Sequence, residues 1–267
     1  MIGQKSNIET IIKWRLNKSV PRFIIISGSN GSGRLTLSKV ILKMLEANGV
    51  ILGNSVENVR ETIENAYKVT ETTFYIFRNA DDMRTEAKNA LLKVVEEPPN
   101  NAYFIMTVQN IDNMLGTIKS RGTLIKMQPY SLKEKMEFTE DERLLKYCSN
   151  IGQMKDVDKA QLDLAVETVK NVISGLYKKS GTIVLKSCTI LKAKQTETEK
   201  LDCNLFMRVF EHELPVKIMS KDIIESIEVC KYELQRSTIN KKFSIECMLL
   251  RILEDMKNEA QKHNTWI

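Results

Sequence analysis

Short apolar runs alternate with helical segments through the first half of the chain. The runs are rich in β-branched and aromatic residues, which predicts buried strands of a parallel sheet. They are FIIIS (23–27), VIL (50–52), FYIF (74–77), YFIMTV (103–108) and TLIKM (123–127). The segments between them are typical of helices: LTLSKVILKML, VENVRETIENAY and TEAKNALLKVVEE. This alternation predicts an α/β sheet with helices on both faces.

From about Tyr130 the strand signals stop and helical periodicity continues alone. Three sets of apolar residues recur at spacings of three and four, and each set therefore falls on one face of a helix. The sets are Leu162, Val166, Val169, Ile173 and Leu176; Ile223, Ile227, Cys230 and Leu234; and Ile245, Leu249, Ile252 and Met256. For a chain of 267 residues we predict three parts, an α/β module at 1–131, a small helical part at 132–163 and a helical domain at 164–267.

Composition and charge narrow the class of protein only a little. A hydrophobic content of 42% and a charged content of 28% are typical of a globular protein. No apolar run approaches the roughly 18 residues of a membrane helix, so we expect a cytoplasmic protein without a membrane partner. The net charge of +6 permits an acidic partner, but the basic residues are dispersed, which favours a solvated surface over a nucleic-acid stripe. The five cysteines form no C-x-x-C pair, and we expect free thiols.

The stretch SGSNGSGRLT, residues 27–36, lies between a predicted strand and a predicted helix and resembles a phosphate-binding loop. A functional loop reads G-x-x-x-x-G-K-[ST], with a lysine for the outer phosphates and a hydroxyl for Mg²⁺. The glycines that suit an anion nest are Gly28, Gly31 and Gly33. However, Arg34 stands at the lysine position and Leu35, which cannot coordinate Mg²⁺, at the hydroxyl position. The sequence leaves open whether this degenerate loop still binds a phosphate or sulfate.

The acidic residues expected at the end of the third predicted strand are also missing. In P-loop enzymes an apolar strand ends in an aspartate that holds Mg²⁺. Here FYIF is followed by Arg78, which would repel the metal, and Asn79, which cannot accept a proton from water. We therefore expect no ATPase activity and no bound cofactor or metal. The alternative is a weak ATPase that uses Arg34 with Asp81 or Asp82.

Residues 79–122 resemble the bacterial DNA polymerase III clamp-loader subunits. The family pattern runs D-E-A-D-x-M, N-A-L-L-K-x-x-E-E-P-P and T-I-x-S-R-C, and the chain matches most of these places. Ile2-Gly3-Gln4 also resembles the family's opening V-G-Q, and residues 239–253 resemble its last collar helix. The resemblance implies an α/β plus all-α protein with an AAA+ P-loop-type parallel-sheet module, a small helical lid and a C-terminal helical collar domain.

Within that family, the losses resemble the delta-prime type, a stator that does not hydrolyse ATP. The chain keeps Ser120-Arg121 of S-R-C, which in the family is an arginine finger given in trans to a neighbour's ATP. Such a finger contributes roughly 10³ or more in rate. Because Ser120-Arg121 follows a helix and precedes a strand, we expect the arginine at the carboxyl edge of the sheet. The implied partners are motor and wrench subunits through the collar, and the sliding clamp and primed DNA through the complex.

Three features qualify the resemblance, and a fourth concerns the matching E-E-P-P motif. Gly122 replaces the cysteine of S-R-C, and we expect it to loosen the backbone after the finger. No four-cysteine module precedes Arg78, so we expect no zinc. Lys155 lies near the place of a sensor arginine in motor subunits. Glu96-Glu97 ends a predicted helix, where carboxylates oppose the helix dipole, and this indicates a cationic partner. A phage-type clamp-loader subunit and a basic DNA-binding module remain alternatives.

Overall fold

The structure, a computed structural model, describes residues 3–193, 197, 199–234 and 239–264, with side chains up to residue 258. The chain divides into two units. The first comprises Met1–Leu145 with Ser149–Lys155, and the second Lys146–Cys148 with Asp156–Ile267. The boundaries after residues 131 and 163 stay predictions.

The first unit is built on a five-stranded parallel sheet with the strand order β2-β3-β4-β1-β5. The strands are β1 (Phe23–Ser27), β2 (Asn48–Leu52), β3 (Thr73–Phe77), β4 (Ala102–Val108) and β5 (Thr123–Lys126). All five predicted strands are confirmed. The three central strands are buried on both faces, which is why they read as continuous apolar runs instead of alternating ones.

Helices cover both faces of this sheet. Successive strand residues point to opposite faces, so Phe23 and Ile25 join one apolar cluster while Ile24 and Ile26 join the other. The helices of the first half are α1 (Lys5–Leu16), α2 (Arg34–Leu45), α3 (Val56–Ala66), α4 (Thr85–Glu96) and α5 (Gly116–Lys119). The first cluster contains buried residues of α3, α4 and α5, and the second contains those of α1 and α2. The predicted inner face of α4, formed by Ala87, Leu91 and Val94, is fully buried.

The amino-terminal segment is fixed to the chain just beyond β5 by one side-chain amide. Gln4 Nε2 donates to the backbone oxygen of Gln128 at 2.7 Å, and Gln4 Oε1 accepts from the Gln128 backbone N–H at 2.9 Å. The amide thus pairs with the backbone as another peptide group would, and Gln4 is buried. Ile2, the first residue of the opening motif, lies outside the described residues.

Short helices follow the sheet, and the second unit is mainly helical. The short helices are α6 (Leu132–Met136), α7 (Glu142–Tyr147) and α8 (Ile151–Asp156). The later helices are α9 (Lys159–Tyr177), α10 (Gly181–Ser187), α11 (Cys203–Glu213), α12 (Lys221–Leu234) and α13 (Lys241–Asn264). The predicted inner face of α12 is buried throughout, as are Ile245, Leu249 and Ile252 of α13. None of the helices in the described part of the chain is long and apolar enough to traverse a bilayer.

Candidate functional site

Three loops meet at the carboxyl edge of the sheet. Because the strands are parallel, the segments that follow β1, β3 and β4 emerge at the same edge. They are the loop at 28–33, the turn at 78–82 and the turn at 109–113. The residues of the degenerate loop are therefore brought together with Asn79, Asp81 and Asp82.

The glycines of the loop are explained by its backbone shape. Gly31 and Gly33 have φ angles of +79° and +92°, which L side chains rarely adopt. At Gly28 a Cβ atom would lie 2.7 Å from Met127 Cβ, and no side chain fits there. These requirements hold with or without a bound anion, so the glycine pattern alone does not identify a ligand site.

Arg34, at the lysine position, is directed toward the turn after β3. Its Nη2 donates to Asn79 Oδ1 at 3.1 Å, and the residue is only 7% exposed. Burial lowers the pKa of Arg34, and attraction to the carboxylates of Asp81 and Asp82 partly offsets that effect. Within the described residues its Nη1 is buried without a hydrogen-bond partner. The guanidinium is thus an internal cation held beside the acids of the turn.

A second buried cation, Lys88, lies at the same turn. Its Nζ donates to the backbone oxygens of Asp81 at 2.9 Å and Asn113 at 2.7 Å, which joins the turns after β3 and β4 to α4. Burial lowers its pKa, while Asp81 and Asp82 raise it. Asp81 Oδ2 accepts the backbone N–H groups of Gln109 and Asn110, each at 2.9 Å. We call Arg34, Asp81, Asp82 and Lys88 the charge cluster.

The amino-terminal end of α8 packs directly on the loop. The Gly152 backbone N–H donates to the oxygen of Gly31 at 3.1 Å, and Asn150 Nδ2 donates to the oxygen of Asn30 at 2.9 Å. A Cβ atom on Gly152 would lie 2.3 Å from that Gly31 oxygen. This approach is possible only because both residues are glycines. The segment therefore occupies one side of the loop.

The donor set at this edge fits a magnesium-bound nucleotide poorly. Position 35 carries a leucine instead of a hydroxyl, and Asn79 has no charge to offer a metal. Asp81 already accepts two backbone N–H groups through one oxygen. In the charge cluster two side-chain cations stand beside two carboxylates, so a further divalent cation would find little net negative charge.

Arg121 lies at the opposite edge of the sheet, and our expectation of the carboxyl edge is wrong. It comes after α5 and two residues before β5 begins, so it lies where the parallel strands start. Strands of four or five residues at about 3.3 Å each place roughly 15 Å between the two edges. Arg121 is exposed and cannot serve a phosphate at its own loop.

Two contacts hold the Arg121 guanidinium. Its Nη2 lies 3.0 Å from Glu96 Oε1 at the end of α4, and its Nη1 donates to the backbone oxygen of Thr117 at 3.1 Å. The Ser120 hydroxyl donates to the same Thr117 oxygen at 3.1 Å. The cationic partner that the sequence predicted for the end of α4 is therefore the chain's own arginine. The catalytic roles predicted for Arg121 and Ser120 stay predictions.

The backbone after Arg121 is closely packed. A Cβ atom on Gly122 would lie 2.6 Å from Ile25 Cδ1 and 2.9 Å from Phe23 Cε1. These two side chains fill the space that the cysteine of S-R-C would need. Gly122 thus allows a close approach to β1, where the sequence suggested only a looser backbone.

Several contacts at the site were missed from the sequence. Lys88 gave a weak signal, because it is spaced three residues before Leu91 on the inner face of α4. The contact of Asn150 and Gly152 with the loop joins residues more than a hundred positions apart, and no local pattern signals it. Lys155 is exposed, with Nζ 5.4 Å from the centre of the Phe138 ring, and its sensor role stays a prediction.

Among the described residues, no group of three or more His, Cys, Asp or Glu side chains is placed to hold a metal ion. The five cysteines are free thiols. The expectation of a zinc-free chain without a cofactor stays a prediction.

Comparisons with known proteins show similarity to DNA polymerase III subunits. Residues 17–131 match the family model described as "DNA polymerase III, delta subunit". A DNA polymerase III subunit gamma from Buchnera aphidicola subsp. Schizaphis graminum is 24% identical over 199 residues, covering 58% of this chain and 55% of that protein. A subunit delta' from Buchnera aphidicola subsp. Baizongia pistaciae is 25% identical over 91 residues, covering 34% and 27%.

A solved structure shows the same fold. The DNA polymerase III gamma subunit-related protein of Thermotoga maritima superposes with a TM-score of 0.50 at 15% identity, covering 92% of this chain and 99% of that one. The chain spans about half the length of the curated relatives that it matches first. The parallel sheet, the E-E-P-P and S-R motifs and these matches make the chain similar to DNA polymerase III clamp-loader subunits.

Proposed function

We propose that the chain is a non-hydrolysing, stator-type subunit of a DNA polymerase III clamp loader, in which Arg121 acts on the ATP of a neighbouring subunit. Two observations together carry the proposal: the Arg34 side chain is turned inward, and Arg121 is exposed at the opposite edge of the sheet. The residue that should meet a phosphate is bonded to Asn79. Arg121 lies at the other edge of the sheet, too far to reach a phosphate at the chain's own loop, which supports a role toward a phosphate of another molecule.

In this function the second unit joins a ring of related subunits through its helices, as the family's collar does. The chain closes one end of the ring and presents a fixed positive charge to the transferring phosphoryl group of a motor subunit. Such a charge stabilises the transition state electrostatically, with little covalent chemistry required of the arginine. The assembled complex would place a sliding clamp on primed DNA during replication. The absence of bound zinc and of bound nucleotide belongs to the same proposal.

The first experiment measures ATP turnover in a complex reconstituted with motor subunits from the same cell. Arg121→Ala should lower turnover at the ATP site that faces Arg121 by roughly 10³-fold, so the complex should lose the contribution of that one site. Lys119→Ala is the matched control, because Lys119 is a cation two residues before Arg121, at the end of α5, with only a 3.9 Å ion pair to Asp112. Equal turnover of the Arg121→Ala and Lys119→Ala complexes would refute the finger role.

A weak ATPase that uses Arg34 and Asp81 is the second candidate. Arg34 Nη1 and Asp81 Oδ1 favour it, because among the described residues both are buried without a hydrogen-bond partner, and so is Ser32 Oγ at the loop. Such atoms are the kind that a bound phosphate or ion satisfies. Magnesium-dependent hydrolysis by the purified chain, abolished by Asp81→Ala, would establish this candidate in place of the stator.

A further inference from the structure

The end of α4 carries a carboxylate pair whose two members have different surroundings. Glu96 is the last residue of α4, and its Oε1 lies 3.0 Å from Arg121 Nη2. Glu97 follows at the helix cap, is exposed, and uses its backbone N–H to reach the oxygen of Lys93. A carboxylate at the carboxyl end of a helix is opposed by the helix dipole. Glu96 is therefore in an unfavourable place unless a cation lies beside it.

The contact with Glu96 restricts the Arg121 guanidinium from a second direction. Nη1 donates to the Thr117 oxygen of α5, the short helix just before Arg121, whereas Nη2 is in contact with Glu96 of α4. A planar guanidinium held at two of its nitrogens has a defined plane. Five N–H groups are available in arginine, and two contacts leave three for a phosphate.

We propose that Glu96 is a positioning residue, which orients Arg121 for the phosphate of the neighbouring subunit. This inference rests on the finger role proposed above. A free arginine side chain must give up rotamer freedom when it engages the transferring phosphoryl group. Glu96 removes part of that freedom beforehand, so the charge is in place as the transition state forms.

The two side chains are 41% and 49% exposed, so the contact is an ion pair in contact with water. The effect of removing Glu96 is therefore expected to be small but measurable. Glu96→Ala should lower kcat at the ATP site that faces Arg121 by about two- to fivefold, in line with an exposed ion pair. KM for ATP should stay constant, because the arginine acts on the transition state and not on nucleotide binding. Glu97→Ala is the matched control and should leave both constants unchanged.

A second measurement reports on the contact itself in the free chain. With ¹⁵N-labelled arginine, the heteronuclear NOE of the Arg121 Nε–H group should fall in Glu96→Ala and not in Glu97→Ala. The double variant Glu96→Ala/Arg121→Ala should turn over ATP at the rate of Arg121→Ala alone, because a positioning residue has no effect without the group that it positions. Equal melting temperatures of the single variants would exclude a loss of folding.

The outcomes separate this inference from the proposed function. If Arg121→Ala slows turnover while Glu96→Ala matches Glu97→Ala, the positioning role is refuted and the finger role stands. If Glu96→Ala raises kcat, Glu96 restrains the arginine, and the positioning role is likewise refuted. If Arg121→Ala itself has no effect, the finger role fails and the positioning role fails with it, even where the NOE shows the ion pair.

Discussion

Replacing Gly152 by alanine sets two effects of opposite sign against each other. Gly152 lies in the first turn of α8, where alanine favours the helix by up to about 1 kcal/mol. The new Cβ, however, would lie 2.3 Å from the oxygen and 2.5 Å from the Cα of Gly31. These are backbone atoms of a loop with fixed dihedral angles, so neither can swing aside. The two segments must separate.

The energetic cost of separating the two segments should exceed the gain in helix propensity. Overpacking of this kind costs about 1–3 kcal/mol. Loss of the hydrogen bond from the Gly152 N–H to the Gly31 oxygen adds about 1 kcal/mol. We therefore expect the free energy needed to open this contact to fall by about 1–3 kcal/mol. Hydrogen exchange of the amide of residue 152 should then be faster by about fivefold to a hundredfold, since 1.4 kcal/mol is a factor of ten.

The matched control is Gly116→Ala in α5. No atom lies within 4 Å of the Cβ position there, so only the propensity effect remains. That variant should be as stable as the original chain or up to about 1 kcal/mol more stable. Thermal unfolding of both variants and hydrogen exchange near residue 152 provide the comparison. If Gly152→Ala equals Gly116→Ala in both measurements, α8 does not pack on the loop as described.

Three further predictions test other parts of the chain. Restoring the family's cysteine by Gly122→Cys should lower the melting temperature, because the new side chain overlaps with Ile25 at a cost of about 1–2 kcal/mol; an unchanged melting temperature would contradict the packing. Burial raises three thiol pKa values from about 9, to about 12 for Cys188, about 11 for Cys203 and about 12 for Cys230. The folded state keeps these protons while the unfolded state releases them, so stability is constant below about pH 9 and falls above it. Equilibrium unfolding should show a loss of about 1 kcal/mol per thiol between pH 8 and pH 10, and a flat profile would contradict the burial. Leu249→Asp should unfold the second unit, because Leu249 is fully buried, whereas Leu250→Asp, at a position 40% exposed, should keep the helical circular dichroism signal.

The strands were predictable because burial on both faces leaves a direct mark in the sequence. FIIIS and FYIF are continuous apolar runs, and each became a central strand within one residue of its predicted bounds. The prediction of the buried face of α9 was less exact. Its predicted stripe ran through Val166 and Ile173, which are only partly buried, while Ala165 and Val172 are buried. Because α9 packs against both α10 and α11, its buried face is wider than a single stripe predicts.

The site was predictable as far as it depends on residue type. The loss of the lysine, the hydroxyl and the acid could be read from Arg34, Leu35 and Asn79 alone. The direction of the Arg34 side chain could not be predicted, because it depends on how the turn after β3 packs around the guanidinium. The position of Arg121 was predicted wrongly for a simple reason. A residue just before a parallel strand lies at the amino end of that strand, whichever helix precedes the residue. The sequence predicted a cation beside Glu96, but only the tertiary structure shows that this cation is Arg121.

We expect the two edges of the sheet to be nearly independent in energy. Arg34 and Arg121 are separated by the length of the strands, about 15 Å. That separation exceeds the 7–10 Å over which substitutions usually couple. A change at the loop should therefore leave the orientation of Arg121 unaltered, because its contacts are with Glu96 and Thr117. In the stator role proposed above, a subunit can thus lack the groups that serve its own nucleotide and still supply an arginine to a neighbour.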